Sequence, residues 1–179
     1  VIWLTKTGAD FWEFYRYDRP FSAWTYVLTT PILGTTPWHW HVFTLILRWL
    51  TTWLFWWVLK TIWPNQLKLI TWSALLFAVY PAFFQQSVAV AYSQHFTTYI
   101  FFLLSIGFMV MFVRKSRFRW RWLSLSILCQ LMHAFTMEYF WGLEIIRPVV
   151  LWIVVSDYIG DQRKRLIDTF KYWLPNLLV

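Results

Sequence analysis

One run of eighteen residues without a single charge constrains this chain most, FTTYIFFLLSIGFMVMFV at 96–113. A transmembrane α-helix needs about 17 to 25 consecutive apolar residues, so this run predicts a helix that crosses a bilayer. The composition agrees, because 59% of the 179 residues are hydrophobic and only 13% are charged. Soluble domains carry roughly twice that share of charge, about 25%. The chain is therefore predicted to be an integral membrane protein.

Other apolar runs predict further membrane helices. Four of them are long enough to cross a bilayer or nearly so, namely 42–59, 69–84, 122–137 and 139–155. A sixth, 166–179, begins near Leu166 and is incomplete. Since the sequence also starts at Val1 without a methionine, we expect the chain to be a fragment. The predicted fold class is all-α, a polytopic transmembrane helical bundle.

Lysine and arginine are concentrated in three connections between these predicted helices. Eleven of the sixteen basic residues fall there, namely Lys60, Lys68, Arg114, Lys115, Arg117, Arg119, Arg121, Arg163, Lys164, Arg165 and Lys171. Short loops rich in lysine and arginine remain in the cytoplasm. The pattern therefore predicts a multi-pass protein of a bacterial inner or plasma membrane with these loops on the cytoplasmic side, where they contact anionic lipid headgroups.

The same orientation places residues 1–41 outside the cytoplasm as a periplasmic, luminal or extracellular loop. Within it, FSAWTYVLTTPIL at 21–33 is only thirteen residues long. This segment is too short to span the bilayer and predicts an amphipathic helix on the membrane surface.

Arg48 is the clearest example of an ionisable residue within a predicted membrane span. Such residues are costly in lipid and default to a functional or a paired role. Arg48 follows His41 by seven residues, or two turns, so both lie on one helical stripe. Its guanidinium suits a phosphate or carboxylate of a substrate; an ion pair with Glu138 or Glu144 that locks two helices remains the alternative.

Two further stripes carry polar and aromatic residues. Tyr92, His95 and Tyr99 are spaced three and four residues apart and form a stripe that enters the charge-free helix from the outer side. They predict either a platform for a sugar or headgroup, or a core of aromatic residues with a hydrogen-bonded histidine. Gln130 and His133 form a weaker stripe, for which helix packing is favoured.

The segment EYFWGLEIIRP, 138–148, places two acids and a base at the outer membrane face. Glu144 and Arg147 are three residues apart and are predicted to neutralise each other. Glu138 is expected to reach Arg19 or Arg48, and a carboxylate in such surroundings is a candidate proton acceptor. In the outer loop, Asp10 is a second candidate catalytic acid and Arg19 a candidate substrate ligand.

Several classes of protein lack support in the sequence. It contains no HExxH, GxSxG, GxGxxG or GxxxxGKS pattern. His39 and His41 alone do not define a metal site, so no metal or other cofactor is predicted. The basic run 114–121 is short and lies between two predicted spans, which argues against nucleic acid as a partner. Cys129 is the only cysteine and predicts a small core residue.

The order of these segments resembles the first luminal loop and following helices of membrane glycosyltransferases of the GT-C fold. The similarity rests on ADFWEFYRYDRPFSAW, PWHWHVFTLILRW and ALLFAVYPAFFQQSVAVAYSQHF. It is nearest to the membrane half of the transmembrane-and-TPR O-mannosyltransferases and to related bacterial multi-span proteins of uncharacterised activity. Arg19, His41 and Pro81 match family positions, whereas Thr44 and Arg48 stand where the family has Asn and His.

This resemblance implies transfer of a sugar from a polyprenyl-phosphate carrier to an acceptor on the non-cytoplasmic side. The partners would be the lipid-linked donor and membrane lipids. Asp10 and Glu138 would be catalytic, and the substrate-binding residues would be Arg19, His41, Arg48, Tyr92, His95, Glu144 and Arg147. The family's usual catalytic acid would lie upstream of Val1. A non-enzymatic accessory membrane subunit and a transporter of polar lipids remain alternatives, the latter disfavoured by the lack of an internal repeat.

Overall fold

The computed structural model describes residue 13 and residues 21–80, 88–115 and 119–178. These residues form seven α-helices and one 3-10 helix. The α-helices are α1 (Trp24–Leu33), α2 (Pro37–Ile62), α3 (Leu67–Ala78), α4 (Ala89–Arg114), α5 (Arg119–Thr136), α6 (Ile146–Ser156) and α7 (Gln162–Leu177). The 3-10 helix, Glu138–Ile145, continues directly into α6. The all-α prediction is confirmed for this part of the chain.

Three helical segments in the described part of the chain are long and apolar enough to cross a membrane, namely Pro37–Ile62, Ala89–Arg114 and Glu138–Ser156. The outer faces of α2 and α3 are also strongly apolar: Trp49 is 72% exposed and Trp72 is 67% exposed. Contiguous apolar surface of this kind is rare on soluble monomers. The architecture is therefore compatible with a membrane protein.

Local sequence signals account for several helix ends. Pro37 occupies the first turn of α2, where its missing N–H costs nothing. Gly34 ends α1 with a φ of 63°, and its N–H donates to the Thr30 carbonyl. Asp161 caps α7, because its side chain accepts a hydrogen bond from the Arg163 N–H at 3.0 Å.

The predicted span 139–155 consists of two helix types rather than one. Its first seven residues belong to the 3-10 helix, and the α-helix begins only at Ile146. Pro148 explains the boundary, because proline has no N–H to donate to the Glu144 carbonyl and its ring clashes with that carbonyl in an α-helix. Proline is tolerated in the first turn, so α6 starts just before it.

Helix α4 is the centre of the fold and packs against α2, α5 and α6. The main core lies between these helices and includes Leu54, Met109, Val110, Leu151 and Val154, all at most 5% exposed. Gly107 on α4 allows α2 to approach closely, since a Cβ at this position would overlap the Trp57 ring. The Trp57 ring of α2 therefore packs directly against the backbone of α4 at Gly107.

Contacts of Arg114 bring the three basic connections to one end of the bundle. Its guanidinium donates to the Ile62 carbonyl at the end of α2 (2.9 Å) and to Asp157 Oδ2 in the α6–α7 connection (2.7 Å). The opposite end holds α1, where Ser22 Oγ donates to the Thr136 carbonyl at the end of α5 (2.7 Å). The bundle therefore has a basic end and an α1 end.

Candidate functional site

An aromatic cavity of about 510 Å³ lies at the α1 end, between the end of α3, the start of α4 and the 3-10 helix. The described residues that line it are Leu76, Phe77, Tyr80, Tyr92, His95, Tyr99 and Phe140. All three members of the Tyr92–His95–Tyr99 stripe are therefore brought together at one cavity. Pockets for small ligands combine apolar walls with a few polar groups in this way.

The rings around this cavity support one another. The Tyr92 and His95 rings are 5.2 Å apart between centroids, and Phe140 meets Tyr99 edge-on at 4.7 Å. Tilted and edge-to-face arrangements of this kind are the favourable ones for aromatic pairs. Tyr92, His95 and Tyr99 are only half-buried, so part of each side chain is exposed beside the cavity. Sequence reasoning missed Phe140, which the 3-10 helix brings from a distant part of the chain.

A second group of polar residues lies inside the bundle and is called the Arg147 cluster here. Its members come from four elements besides α6: Ser105, Ser126, Gln130, His133, Glu144, Arg147 and Asn176. Arg147 is completely buried and forms a two-pronged ion pair with Glu144, whose side chain is 25% exposed. The predicted Glu144–Arg147 neutralisation is thus present in the structure.

Hydrogen bonds tie this cluster across the helices. Arg147 Nη2 donates to Ser105 Oγ on α4 at 3.0 Å. Gln130 Nε2 on α5 donates to the Asn176 carbonyl on α7 at 2.8 Å, and Ser126 Oγ lies 3.1 Å from Asn176 Oδ1. Sequence reasoning missed Ser105, Ser126 and Asn176, because serine and asparagine within apolar helices carry no periodic signal.

Several polar atoms of the Arg147 cluster have no hydrogen-bond partner among the described residues. They are Arg147 Nη1, Gln130 Oε1, Asn176 Nδ2 and both ring nitrogens of His133. His133 Nε2 lies 3.3 Å from Glu144 Oε1, close but without hydrogen-bond geometry. Each buried polar group without a partner costs about 1–3 kcal/mol. The sequence favoured a packing role in which Gln130 and His133 make all their hydrogen bonds. The structure shows this role only in part, because some of their atoms have no partner among the described residues.

The remaining candidate residues lie elsewhere. Arg48 donates to the Ala78 carbonyl at the end of α3, where a cation favourably meets the negative end of the helix dipole. His41 and Glu138 are exposed. None of these three is among the described residues that line the aromatic cavity. Asp10 and Arg19 lie outside the described residues.

The structure also bears on metal binding. Within the described ranges, no group of three or more histidine, cysteine, aspartate or glutamate side chains could hold a metal ion. Two such ligands, as at His133 and Glu144, do not define a site, particularly beside the positive charge of Arg147.

Comparison with known proteins identifies no similar protein or fold. The sequence matches no protein-family model and no curated protein, and the fold matches no solved structure. The two groups of residues described above are therefore the candidates for a functional site.

Proposed function

We propose that this chain is a membrane glycosyltransferase, or a segment of one, that takes a sugar from a polyprenyl-phosphate carrier. The basic end would face the cytoplasm, because lysine and arginine in short loops set that orientation. The α1 end, with its aromatic cavity, would then face the non-cytoplasmic side, where the sugar is transferred to an acceptor hydroxyl.

The aromatic cavity is the observation that carries this proposal. Sugars present apolar faces edged by hydroxyl groups, and the cavity offers aromatic rings together with the polar atoms of Tyr80, Tyr92, Tyr99 and His95. Tyrosine hydroxyls and imidazole nitrogens both donate and accept hydrogen bonds. Its volume of about 510 Å³ is in the range of small-molecule sites, roughly 300–1,000 Å³.

Glu138 is the described carboxylate best placed to accept the acceptor's proton. It begins the 3-10 helix two residues before Phe140, which lines the cavity, and its side chain is exposed. Asp10 is the second candidate base. Replacement of Glu138 by glutamine should abolish transfer while leaving donor binding intact, because the amide keeps the shape of the side chain and loses its basicity.

Donor binding tests the proposal most directly. The chain in proteoliposomes would be incubated with polyprenyl-phosphate hexoses, with polyprenyl phosphate alone as the reference. Tyr92→Phe should weaken binding of the sugar-bearing lipid by about 2- to 12-fold, the loss of one hydrogen bond of about 0.5–1.5 kcal/mol. Tyr158→Phe, at the basic end, is the matched control and should leave binding unchanged.

Equal retention of the lipid with and without its sugar would contradict the proposal, as would identical binding by the Tyr92 and Tyr158 variants. A non-enzymatic accessory subunit is then the second candidate. It is favoured by one observation, that two arginines well inside apolar helices donate to protein groups: Arg48 to Ala78, and Arg147 to Glu144 and Ser105.

A further inference from the structure

We infer that the Arg147 cluster is an internal water-binding site that opens to solvent beside Glu144. This inference goes beyond the proposed function and does not rest on it. The cluster and the aromatic cavity share no lining residue among those described.

The Arg147 cluster lies deep in the bundle, far from both ends of α4, so water bound there would lie far from either end of the helix. Ser105 lies sixteen residues after the start of α4 at Ala89 and nine residues before its end at Arg114. At about 1.5 Å per residue, these separations are roughly 24 Å and 14 Å along the helix axis. The cluster thus lies well inside α4, a helix long and apolar enough to cross a membrane.

The unpartnered atoms have the composition that water satisfies. Arg147 Nη1 and Asn176 Nδ2 are donors, Gln130 Oε1 is an acceptor, and the His133 ring supplies one further donor and acceptor when neutral. Their side chains are all at least nine-tenths buried: Arg147 and His133 are 0% exposed, Asn176 is 1% and Gln130 is 5%. Buried water typically makes about three hydrogen bonds to otherwise unsatisfied groups of this kind.

Charge argues for a neutral occupant rather than an ion. The positive charge of Arg147 is already balanced by Glu144 at hydrogen-bond distance. A further cation would be repelled by Arg147, and a further anion would be repelled by Glu144. Both repulsions would be strong, because the protein interior screens charges poorly. Water carries no net charge and both donates and accepts, so it fits both kinds of unpartnered atom.

Glu144 provides the opening to solvent. Its side chain is 25% exposed although its partner Arg147 is completely buried. Gly142, two residues earlier, has open space on its side-chain face, with nothing within 4 Å of an added Cβ. Glu144 therefore joins the interior of the cluster to the outside at the 3-10 helix.

Thiol modification tests this inference with two neighbouring positions on α5. In a Cys129→Ser background, Gln130→Cys places the thiol inside the cluster, and Leu128→Cys places it on an outer face that is 54% exposed. A small charged, water-soluble thiosulfonate supplied on both sides of the membrane should modify Gln130→Cys and leave Leu128→Cys unmodified. After the protein is denatured in dodecyl sulfate, a maleimide should modify Leu128→Cys, which shows that this thiol is present and unoxidised.

The unaltered chain gives a second measurement that needs no folded variant. In water-edited ¹⁵N NMR spectra of lipid-reconstituted protein, signals of Arg147 and His133 should appear as early as that of exposed Arg163. The indole signal of Trp49, on the apolar outer face, should remain weak and serves as the control. Late signals from both Arg147 and His133, or an unreactive Gln130→Cys in a folded variant, would overturn the inference.

Discussion

Glu144→Gln should be strongly destabilising, because it would leave the guanidinium of Arg147 charged and unpaired. Arg147 is 0% exposed, and the other groups around it, the Ser105 hydroxyl and any water in the cluster, are uncharged and do not replace the carboxylate. Breaking a buried ion pair by removing one partner costs about 3–5 kcal/mol. In a chain of this size each kcal/mol lowers the melting temperature by about 2–4 °C, so we expect a fall of roughly 6–20 °C.

Asp157→Asn makes the same chemical change in an exposed pair. Arg114 and Asp157 are 22% and 49% exposed, and exposed pairs contribute about 0–1 kcal/mol. This control should therefore lower the melting temperature by less than about 4 °C. Both variants would be compared with the parent chain by thermal unfolding in detergent micelles, followed by circular dichroism.

The double variant Glu144→Gln/Arg147→Met completes the test, because it removes both charges. Replacing a buried pair by uncharged side chains of similar size is often close to neutral, so the double variant should recover most of the lost stability. Equal losses in the buried and exposed variants, or a double variant less stable than Glu144→Gln, would refute the reasoning.

Two further predictions use matched pairs of positions in the same unfolding assay. Gly107→Ala should cost about 1–3 kcal/mol through overlap with the Trp57 ring, outweighing a helix-propensity gain of up to about 1 kcal/mol; Gly142→Ala, which meets nothing within 4 Å, should stay within about 0.5 kcal/mol. Ser126→Ala should cost about 1–3 kcal/mol because it removes a buried hydroxyl that joins Ser105 and Asn176. Ser124→Ala should be close to neutral, since its exposed hydroxyl bonds only within its own helix. Equal losses of stability within the glycine pair or within the serine pair would argue against the packing described.

The apolar runs were sufficient to predict where helices form, since α2 to α7 overlap the predicted spans. Helix ends were less predictable. Helix α4 begins at Ala89 rather than at 96, because polar Gln94 is stabilised inside the helix by a hydrogen bond to the Ser22 carbonyl. A criterion based on apolar length alone excludes such a residue.

Contacts between helices could not be predicted in the same way. Uniformly apolar helices have no distinct polar face, so the sequence does not show which side of α5 meets α7. Gln130 and His133 were recognised as one stripe, yet the approach of Gln130 to Asn176 depends on the rotation of two helices about their axes. Tyr92, His95 and Tyr99 were easier to group, because they share one helix and follow its periodicity.

The 3-10 helix Glu138–Ile145 connects the aromatic cavity with the Arg147 cluster. It carries Phe140 of the aromatic cavity and, four residues later, Glu144 of the Arg147 cluster. Four residues rise about 8 Å as 3-10 helix and about 6 Å as α-helix. Rewinding this segment would therefore draw the two regions together by about 2 Å and turn Phe140 relative to Glu144, so a change at either region would alter its position relative to the other.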